Sequence, residues 1–233
     1  MADTNQLTPQ QLQGYSLFTE LSDAACERLL DRHRCSSHGA EQVFVMEQDW
    51  GESLFVLLSG IAKVRTYNAD GEEVVMSLLG EGEVFGEMAA LDGAPRSADV
   101  VALTPVRVAK LRAEPFSGLL KQDPGLALAV ARLEATRLRD LNQRFAIGAS
   151  DATTRLLAAL AYLARKSSSA NAVQAVIPPL AQRELAVLAG LARETASRTL
   201  SKLRSRGTVV DEGDGLRLAD LQPLIKRGLM PAG

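Results

Sequence analysis

Between Val84 and Val100 the chain reads VFGEMAALDGAPRSADV. An acid, Glu87, follows Gly86, a run of small residues comes next, and Arg96 with its hydroxyl neighbour Ser97 closes the stretch. A short segment whose backbone amides point inward can cradle an anionic phosphate, and a desolvated arginine supplies the opposite charge. Gly86 lets the backbone approach such a group closely.

A second run able to do chemistry lies nearer the C-terminus. From Pro178 to Gly207 the basic side chains Arg183, Arg193, Arg198, Lys202, Arg204 and Arg206 face only Glu184 and Glu194, although the whole chain carries a formal charge of −2. A basic segment in an acidic protein points to a polyanion contact, and a solvated helix face would carry the same charges. LAQRELAVLAGLARETASRTLSKLRSRGTVV divides at Gly190 into two helical pieces, with Ala186 small where they cross and Gly190 in the tight turn. At about 100° per residue, Arg193, Ser197, Glu194 and Arg198 share one face, while Ala196, Leu200 and Leu203 fall on another. The helix therefore packs one side and presents the other. Arginine can donate twice to guanine and glutamate can accept from cytosine, so the presented side suits base edges in a major groove. Thr208-Val209-Val210 and Gly215-Leu216-Arg217-Leu218 flank DEGDG as a small hairpin, a wing beside that helix.

These groups need elements to hold them. From about Gln42 to Arg112, short apolar runs alternate with turns and predict β-strands in a sandwich or barrel. Asp70-Gly71 predicts a hairpin closed by a type I′ turn, with positive φ at both central residues. After Pro115 the pattern changes. From Asp123-Pro124, apolar residues recur at Leu126, Val130, Leu133, Leu138, Leu141 and Phe145, predicting one helix of about 24 residues, roughly 36 Å long. Its apolar stripe predicts burial against a parallel second copy, in a coiled coil made imperfect by the Leu133 to Leu138 spacing. Gly148 is expected to interrupt this helix as a hinge, and Ser150 or Asp151 to cap the next, DATTRLLAALAYLARK. The expected domains are residues 1–120, 121–148 and 149–233.

Composition narrows the function classes. At 233 residues the chain suits two modest domains, and 46% hydrophobic with 23% charged residues argues for a packed globular protein rather than a disordered or fibrous one. Two cysteines, Cys26 and Cys35, are too few for a disulfide framework or a four-thiolate cluster, and suggest a reducing compartment. The N-terminus lacks a basic start and an apolar core, and the longest apolar run, Leu156 to Ala164, falls short of the roughly 18 residues of a membrane span. The expectation is a cytoplasmic protein with no membrane partner. Its two histidines, His33 and His38, both precede the strands and read as surface residues, so neither a metal site nor an enzyme is expected.

The order of these elements, with their motifs, resembles the cyclic AMP receptor protein/FNR family of bacterial transcription regulators over nearly the whole chain. The resemblance implies an α+β fold: an N-terminal double-stranded β-helix (jelly-roll) cyclic nucleotide-binding domain, a long dimerisation helix and a C-terminal winged helix-turn-helix. RETASR, Arg193 to Arg198, is similar to the family's recognition motif, in which the first Arg, the Glu and the last Arg read a TGTGA-like half-site. The implied DNA-binding set is Arg183, Arg193, Glu194, Thr195, Ser197, Arg198 and Lys202.

FGEMAALDGAPRSA, Phe85 to Ala98, resembles the family's phosphate-binding cassette. By that resemblance Glu87 accepts the ribose 2′-hydroxyl and Arg96 and Ser97 hold the cyclic phosphate, within a set of Phe85, Gly86, Glu87, Met88, Ala89, Arg96, Ser97 and Ala98. A buried Glu87–Arg96 ion pair closing an empty roll is the alternative. The chain departs from cyclic AMP-responsive members, which carry Thr-Ser on the long helix where it has Asp140-Leu141. Asp140 or Asn142, one of them from a partner subunit, would accept from an exocyclic amine such as adenine N6, or both are polar residues on the wet side of the helix. The implied allosteric ligand is cyclic AMP, with cyclic GMP, cyclic di-GMP or no ligand still open. The implied partners are double-stranded DNA, a second copy of the chain and RNA polymerase. Two recognition helices would meet a palindromic operator about 34 Å apart.

Overall fold

The computed structural model describes residues 6–231. Two short helices, α1 (Pro9–Gln13) and α2 (Asp23–Leu30), lead the chain. Each begins on a side-chain cap that satisfies a free amide. Thr8 Oγ1 accepts from the Gln11 amide at 3.2 Å while Gln11 Oε1 accepts from Thr8 N–H at 2.9 Å, and Ser22 Oγ accepts from the Ala25 amide at 3.3 Å. Then come β1 (Arg34–His38), β2 (Val43–Val45), β3 (Ser53–Ser59), β4 (Ala62–Tyr67), β5 (Glu73–Leu79), β6 (Val84–Phe85), α3 (Glu87–Asp92), β7 (Asp99–Ala102), β8 (Val106–Arg112), α4 (Ala113–Gln122) and the long α5 (Pro124–Gly148).

The strands make two four-stranded sheets, ordered β1-β8-β3-β6 and β2-β7-β4-β5. Neighbours are mostly far apart in sequence, as the antiparallel β1–β8, β3–β8, β2–β7 and β4–β7 pairs show. Phe55, Leu57, Phe85, Val100, Ala102 and Val108 from both sheets fill one core. A second core joins Leu12, Phe18, Cys26 and Leu29 of the leading segment to Leu54, Leu111, Phe116, Leu126 and Val130.

The chain divides into two compact units, Met1–Thr66 with Leu79–Asp140, and Tyr67–Leu78 with Leu141–Gly233. The second holds α6 (Ala152–Lys166), α7 (Gln182–Ala189), α8 (Arg193–Ser205), the hairpin β9 (Val209–Glu212) and β10 (Gly215–Leu218), and α9 (Gln222–Ile225). Asp151 caps α6, its Oδ1 accepting from the Thr153 and Thr154 amides at 2.8 and 3.1 Å. Leu156, Leu157, Leu160 and Leu163 of α6 are fully buried, together with Leu185 and Ala186 of α7 and Leu200 and Leu203 of α8. Arg155 ties α6 to the α7–α8 turn: its Nε–H donates to the Ala189 carbonyl at 3.0 Å and its Nη2–H to that of Gly190, a residue at φ +59°. Within the same unit Arg144 donates to the Val75 and Met76 carbonyls, and the Tyr162 hydroxyl accepts from the Leu78 amide at 3.2 Å.

Several expectations need correcting. Asp70 does not take positive φ; only Gly71 does, at +78°. The loop closes through Asn68 instead, whose Oδ1 accepts from the Asp70 and Glu72 amides at 3.0 and 2.8 Å while its own N–H donates to the Glu72 carbonyl at 3.0 Å. That leaves a three-residue loop with glycine in the left-handed position rather than a two-residue I′ turn. The strands begin at Arg34, before Gln42, and His38 is the last residue of β1, paired with Val106. His33 is buried, not on the surface: its Nε2 accepts from the Leu7 amide at 2.9 Å and its Nδ1 lies 2.7 Å from the Leu30 carbonyl. Gly148 ends α5 within helical geometry, so the break falls after it. Finally, the apolar residues of α5 do not form one outward stripe. Leu126, Val130 and Leu133 pack into the chain's own core, whereas Leu138, Leu141 and Phe145 stay exposed at 59%, 39% and 86%.

Candidate functional site

Phe85 anchors the first site. It ends β6 and stacks on Phe55 with ring centroids 5.1 Å apart. Gly86 follows at φ +79°, a value that strains any residue with a Cβ, and this turn starts α3. Glu87, its first residue, is thereby carried inward to 1% exposure.

Glu87 does not meet Arg96 in an ion pair. Its partner is Arg137 of α5, whose Nη1–H donates to Glu87 Oε1 at 2.5 Å and to Glu134 Oε1 at 3.2 Å, while its Nη2–H donates to the Val84 carbonyl. Glu87 Oε2 is buried and has no hydrogen-bond partner among the described residues. Two carboxylates thus share one guanidinium. Burial first, and then the charge of Glu87, push the Glu134 carboxyl above the usual range against the pull of Arg137.

Arg96, 6% exposed, holds neutral partners. Its Nη1–H donates to the Gly86 carbonyl at 2.8 Å, its Nη2–H to the Ser53 carbonyl, and its guanidinium carbon lies 5.7 Å from the Phe55 ring centroid. Burial lowers its pKa, and the nearby charges of Glu87 and Asp49 oppose that shift. Its backbone is pinned as well, since Arg96 N–H donates to the Asp49 carbonyl and Gln48 N–H to that of Arg96, both at 2.9 Å.

The remaining residues of the expected cassette are less tightly held. Met88 and Ser97 are exposed, with 4.0 Å between Ser97 Oγ and Met88 Sδ; Ala89 is half-buried and Ala98 buried. Asp140 is half-buried on α5 and makes no hydrogen bond to the cassette, and Asn142 is exposed. Arg137 and Glu134 escaped the sequence reading. A signal for Arg137 existed, because it lies four residues after Leu133 and seven after Val130, on the side of α5 that packs into its own unit.

The second site is the outer face of α8. Ala196, Leu200 and Leu203 bury its inner side, as the periodicity predicted, and Arg193, Glu194, Arg198 and Lys202 are exposed. Among the described residues no hydrogen bond or ion pair engages these four side chains, which leaves them free for an external partner. Thr195 and Ser197 are half-buried beside them. Arg183, on α7, pairs with Glu184 at 3.5 Å. Arg204, counted among the basic residues of this segment, is already committed to the wing, donating to Asp211 Oδ1 at 2.7 and 3.1 Å. In the wing itself, Ile177 and Leu216 exchange amide-to-carbonyl bonds of 2.7 and 2.9 Å, adding a third short segment beside β10.

Among the described residues no group of three His, Cys, Asp or Glu side chains could hold a metal ion, and no helix is long and apolar enough to cross a membrane.

Known proteins match both halves of this arrangement. Residues 37–123 match the model of the cyclic nucleotide-binding domain and residues 154–227 that of the Crp-like helix-turn-helix domain. The cyclic AMP receptor protein of Thermus thermophilus is 31% identical over 202 residues, 85% of this chain and 89% of that protein. A CRP-like cAMP-activated global transcriptional regulator of Mycobacterium tuberculosis is 27% identical over 183 residues, 78% of this chain and 82% of that one. Among solved structures, FixK2 from Bradyrhizobium japonicum shares the fold at a TM-score of 0.72 and 20% identity, over 86% of this chain and 98% of that chain. The c-di-GMP responsive regulator CLP of Xanthomonas campestris does so at 0.66 and 23%, over 85% and 100%. The jelly-roll, the long helix and the winged helix-turn-helix thus occur together in one chain, and that chain belongs to the cyclic AMP receptor protein/FNR family of cyclic nucleotide-responsive, DNA-binding transcription regulators.

Proposed function

We propose that the nucleotide is cyclic AMP, bound as an allosteric ligand with its cyclic phosphate on Arg96 and Ser97 and its ribose hydroxyl on Glu87. One observation carries the cassette: Glu87 Oε2 is a buried acceptor with no hydrogen-bond partner among the described residues, and a hydroxyl donor is what such an atom lacks. The likeness to the cyclic AMP receptor protein of Thermus thermophilus favours adenine as the base. The neighbouring Arg96 supplies a desolvated positive charge for the phosphate. Asp140 and Asn142 are the candidates to meet the base, the place where ligand identity is decided.

The regulator acts as a homodimer in the cytoplasm. The exposed Leu138, Leu141 and Phe145 on α5 support the dimer, being large apolar side chains that a second helix would cover. Two copies of α8 would then meet a palindromic TGTGA-like operator, one half-site each, with Arg193, Glu194 and Arg198 against base edges and Arg183, Thr195, Ser197 and Lys202 around them. RNA polymerase is the further partner. Nucleotide changes DNA affinity only by binding the DNA-competent arrangement more tightly than the other.

Thermal melts against cyclic AMP, cyclic GMP and cyclic di-GMP test the ligand. A ligand that binds the native state stabilises it by about 2.7 kcal/mol at a hundredfold excess over Kd. The expected result is a shift with cyclic AMP that Arg96→Ala abolishes; a shift with another nucleotide alone reassigns the ligand, and no shift with any overturns the reading. For DNA, Arg193→Ala is expected to cost roughly 1–3 kcal/mol of operator affinity and to relax base preference at one position.

A further inference from the structure

Arg96 rests where only a glycine neighbour lets it rest. Its guanidinium is spent on two carbonyl oxygens, those of Gly86 and Ser53, and on the face of Phe55. An ideal Cβ built on Gly51 would fall inside that guanidinium, overlapping its Nε, Cζ and Nη2 together. Gly51 has no positive φ, so its backbone would accept alanine, and the three heavy atoms nearest to the added Cβ all belong to the guanidinium. Gly86 also borders the guanidinium, yet its φ of +79° means that a substitution there would confound crowding with strain.

We propose that Gly51 is a positioning residue for the nucleotide site: by leaving room for Arg96 to rest on the Ser53 and Gly86 carbonyls, it holds nucleotide affinity below what the bare phosphate contact would give. The proposal rests on the cyclic nucleotide reading of the cassette. A phosphate must draw Arg96 from two neutral acceptors before it can engage the charge, and apparent affinity falls by the fraction of molecules in which Arg96 is available. A charged phosphate oxygen is the stronger acceptor, so the exchange is favourable but not free. The loop carrying Gly51 is also tied to the residue it serves, through the paired Gln48–Arg96 and Arg96–Asp49 backbone bonds. Trp50, the only tryptophan in the sequence, sits next to Gly51 at 77% exposure, so its emission reports on this loop.

Two measurements on the full chain test this. In the first, urea midpoints followed by Trp50 emission are compared for Gly51→Ala in the natural chain and in an Arg96→Ala background, with Arg96→Val as substitute background should the alanine variant not fold. Gly51→Ala is expected to lower the midpoint only where Arg96 is present, because the glycine-to-alanine effect on the unfolded chain is the same in both backgrounds and cancels. In the second, calorimetric titration with cyclic AMP is expected to show Gly51→Ala binding on the order of fivefold more tightly than the natural chain, as the resting place of Arg96 is lost. Equal or weaker binding by Gly51→Ala, or an equal midpoint shift in both backgrounds, overturns the proposal. If the natural chain binds none of the three cyclic nucleotides, the cassette reading falls and the affinity role with it; an Arg96-dependent midpoint shift would in that case still establish the Gly51–Arg96 contact by itself.

Discussion

Replacing Arg137 by methionine strands a carboxylate. Glu87 is 1% exposed and its ion-pair partner among the described residues is the Arg137 guanidinium, 2.5 Å from Oε1, so the variant leaves a buried carboxylate offset only by the unpaired charge of Arg96 nearby. Two unit charges about 4 Å apart attract by about 4 kcal/mol at an effective dielectric constant near 20, and breaking a buried pair by removing one partner typically costs about 3–5 kcal/mol. The Arg137 side chain is 25% exposed and partly hydrated, which places the expected loss at the lower end, about 3 kcal/mol. For a chain of this size that lowers Tm by roughly 6–12 °C. The assay is a thermal or urea transition near neutral pH read through Trp50, which lies in the same compact unit as Glu87 and Arg137. The partner variant is Glu87→Gln, which removes the charge and keeps the shape. In the Glu87→Gln background, Arg137→Met should cost clearly less, about 1–2 kcal/mol, because what remains to be lost is the half-exposed pair with Glu134 and neutral bonds to the Val84 carbonyl and the amide oxygen introduced at position 87. If Arg137→Met shifts the transition by less than about 1 kcal/mol, or if the two substitutions simply add, the pair does not carry the charge of Glu87 and the reasoning fails.

Glu134, Asp151 and Leu200 each give a further expected outcome. Glu134, whose carboxyl is held above its ordinary range, binds its proton more tightly folded than unfolded; it therefore favours the fold below its unfolded pKa, and that contribution is lost as pH rises through the raised value. Glu134→Gln should accordingly flatten the loss of stability between mildly acidic and neutral pH, measured by urea midpoints across that range. Asp151, held below the carboxylate range chiefly by hydrogen bonds from Thr154, caps α6, so Asp151→Ala should cost about 1 kcal/mol at neutral pH and progressively less as pH falls through the lowered pKa, in the same titration. Leu200→Ala, emptying a site 4% exposed under the recognition helix, should cost about 2–5 kcal/mol and reduce operator binding in a gel shift in proportion to the unfolded fraction.

Strong local signals carried most of what was legible in the sequence. The α8 face was legible because Ala196, Leu200 and Leu203 recur at helical spacing while Arg193 and Arg198 do not share their side. The stretch that holds the buried Glu87 and Arg96 stood out because Gly86, Glu87, Arg96 and Ser97 fall close together. What escaped has a common physical cause. β1 is Arg-Cys-Ser-Ser-His, without the alternating apolar pattern of a half-buried strand, and it forms because β8 offers it a ladder. His33 looked like a surface residue until the leading segment brought the Leu7 amide to it from 26 positions away. Arg137 reaches Glu87 across 50 positions, and a contact of that span leaves no mark on local composition. The apolar positions of α5 were read as one stripe against a second copy, and helical spacing alone could not say that Leu126, Val130 and Leu133 are covered by the chain's own core while Leu138, Leu141 and Phe145 are not.

The grip of Arg155 on the turn before α8 bears on how the chain can vary. The Ala189 and Gly190 carbonyls end α7 where no further helical turn can receive them, and one guanidinium, reaching from 34 and 35 positions away, answers both. A Cβ on Gly190 would press against that same guanidinium, 2.5 Å from Nη2. The two positions are consequently not free to drift one at a time. In a randomised library selected for operator binding, any substitution at Gly190 must also bear its φ of +59°, so the survivors should be few, asparagine or aspartate foremost. They should come with a shorter side chain at residue 155 and a new donor for the turn, the two sites being inherited as a unit.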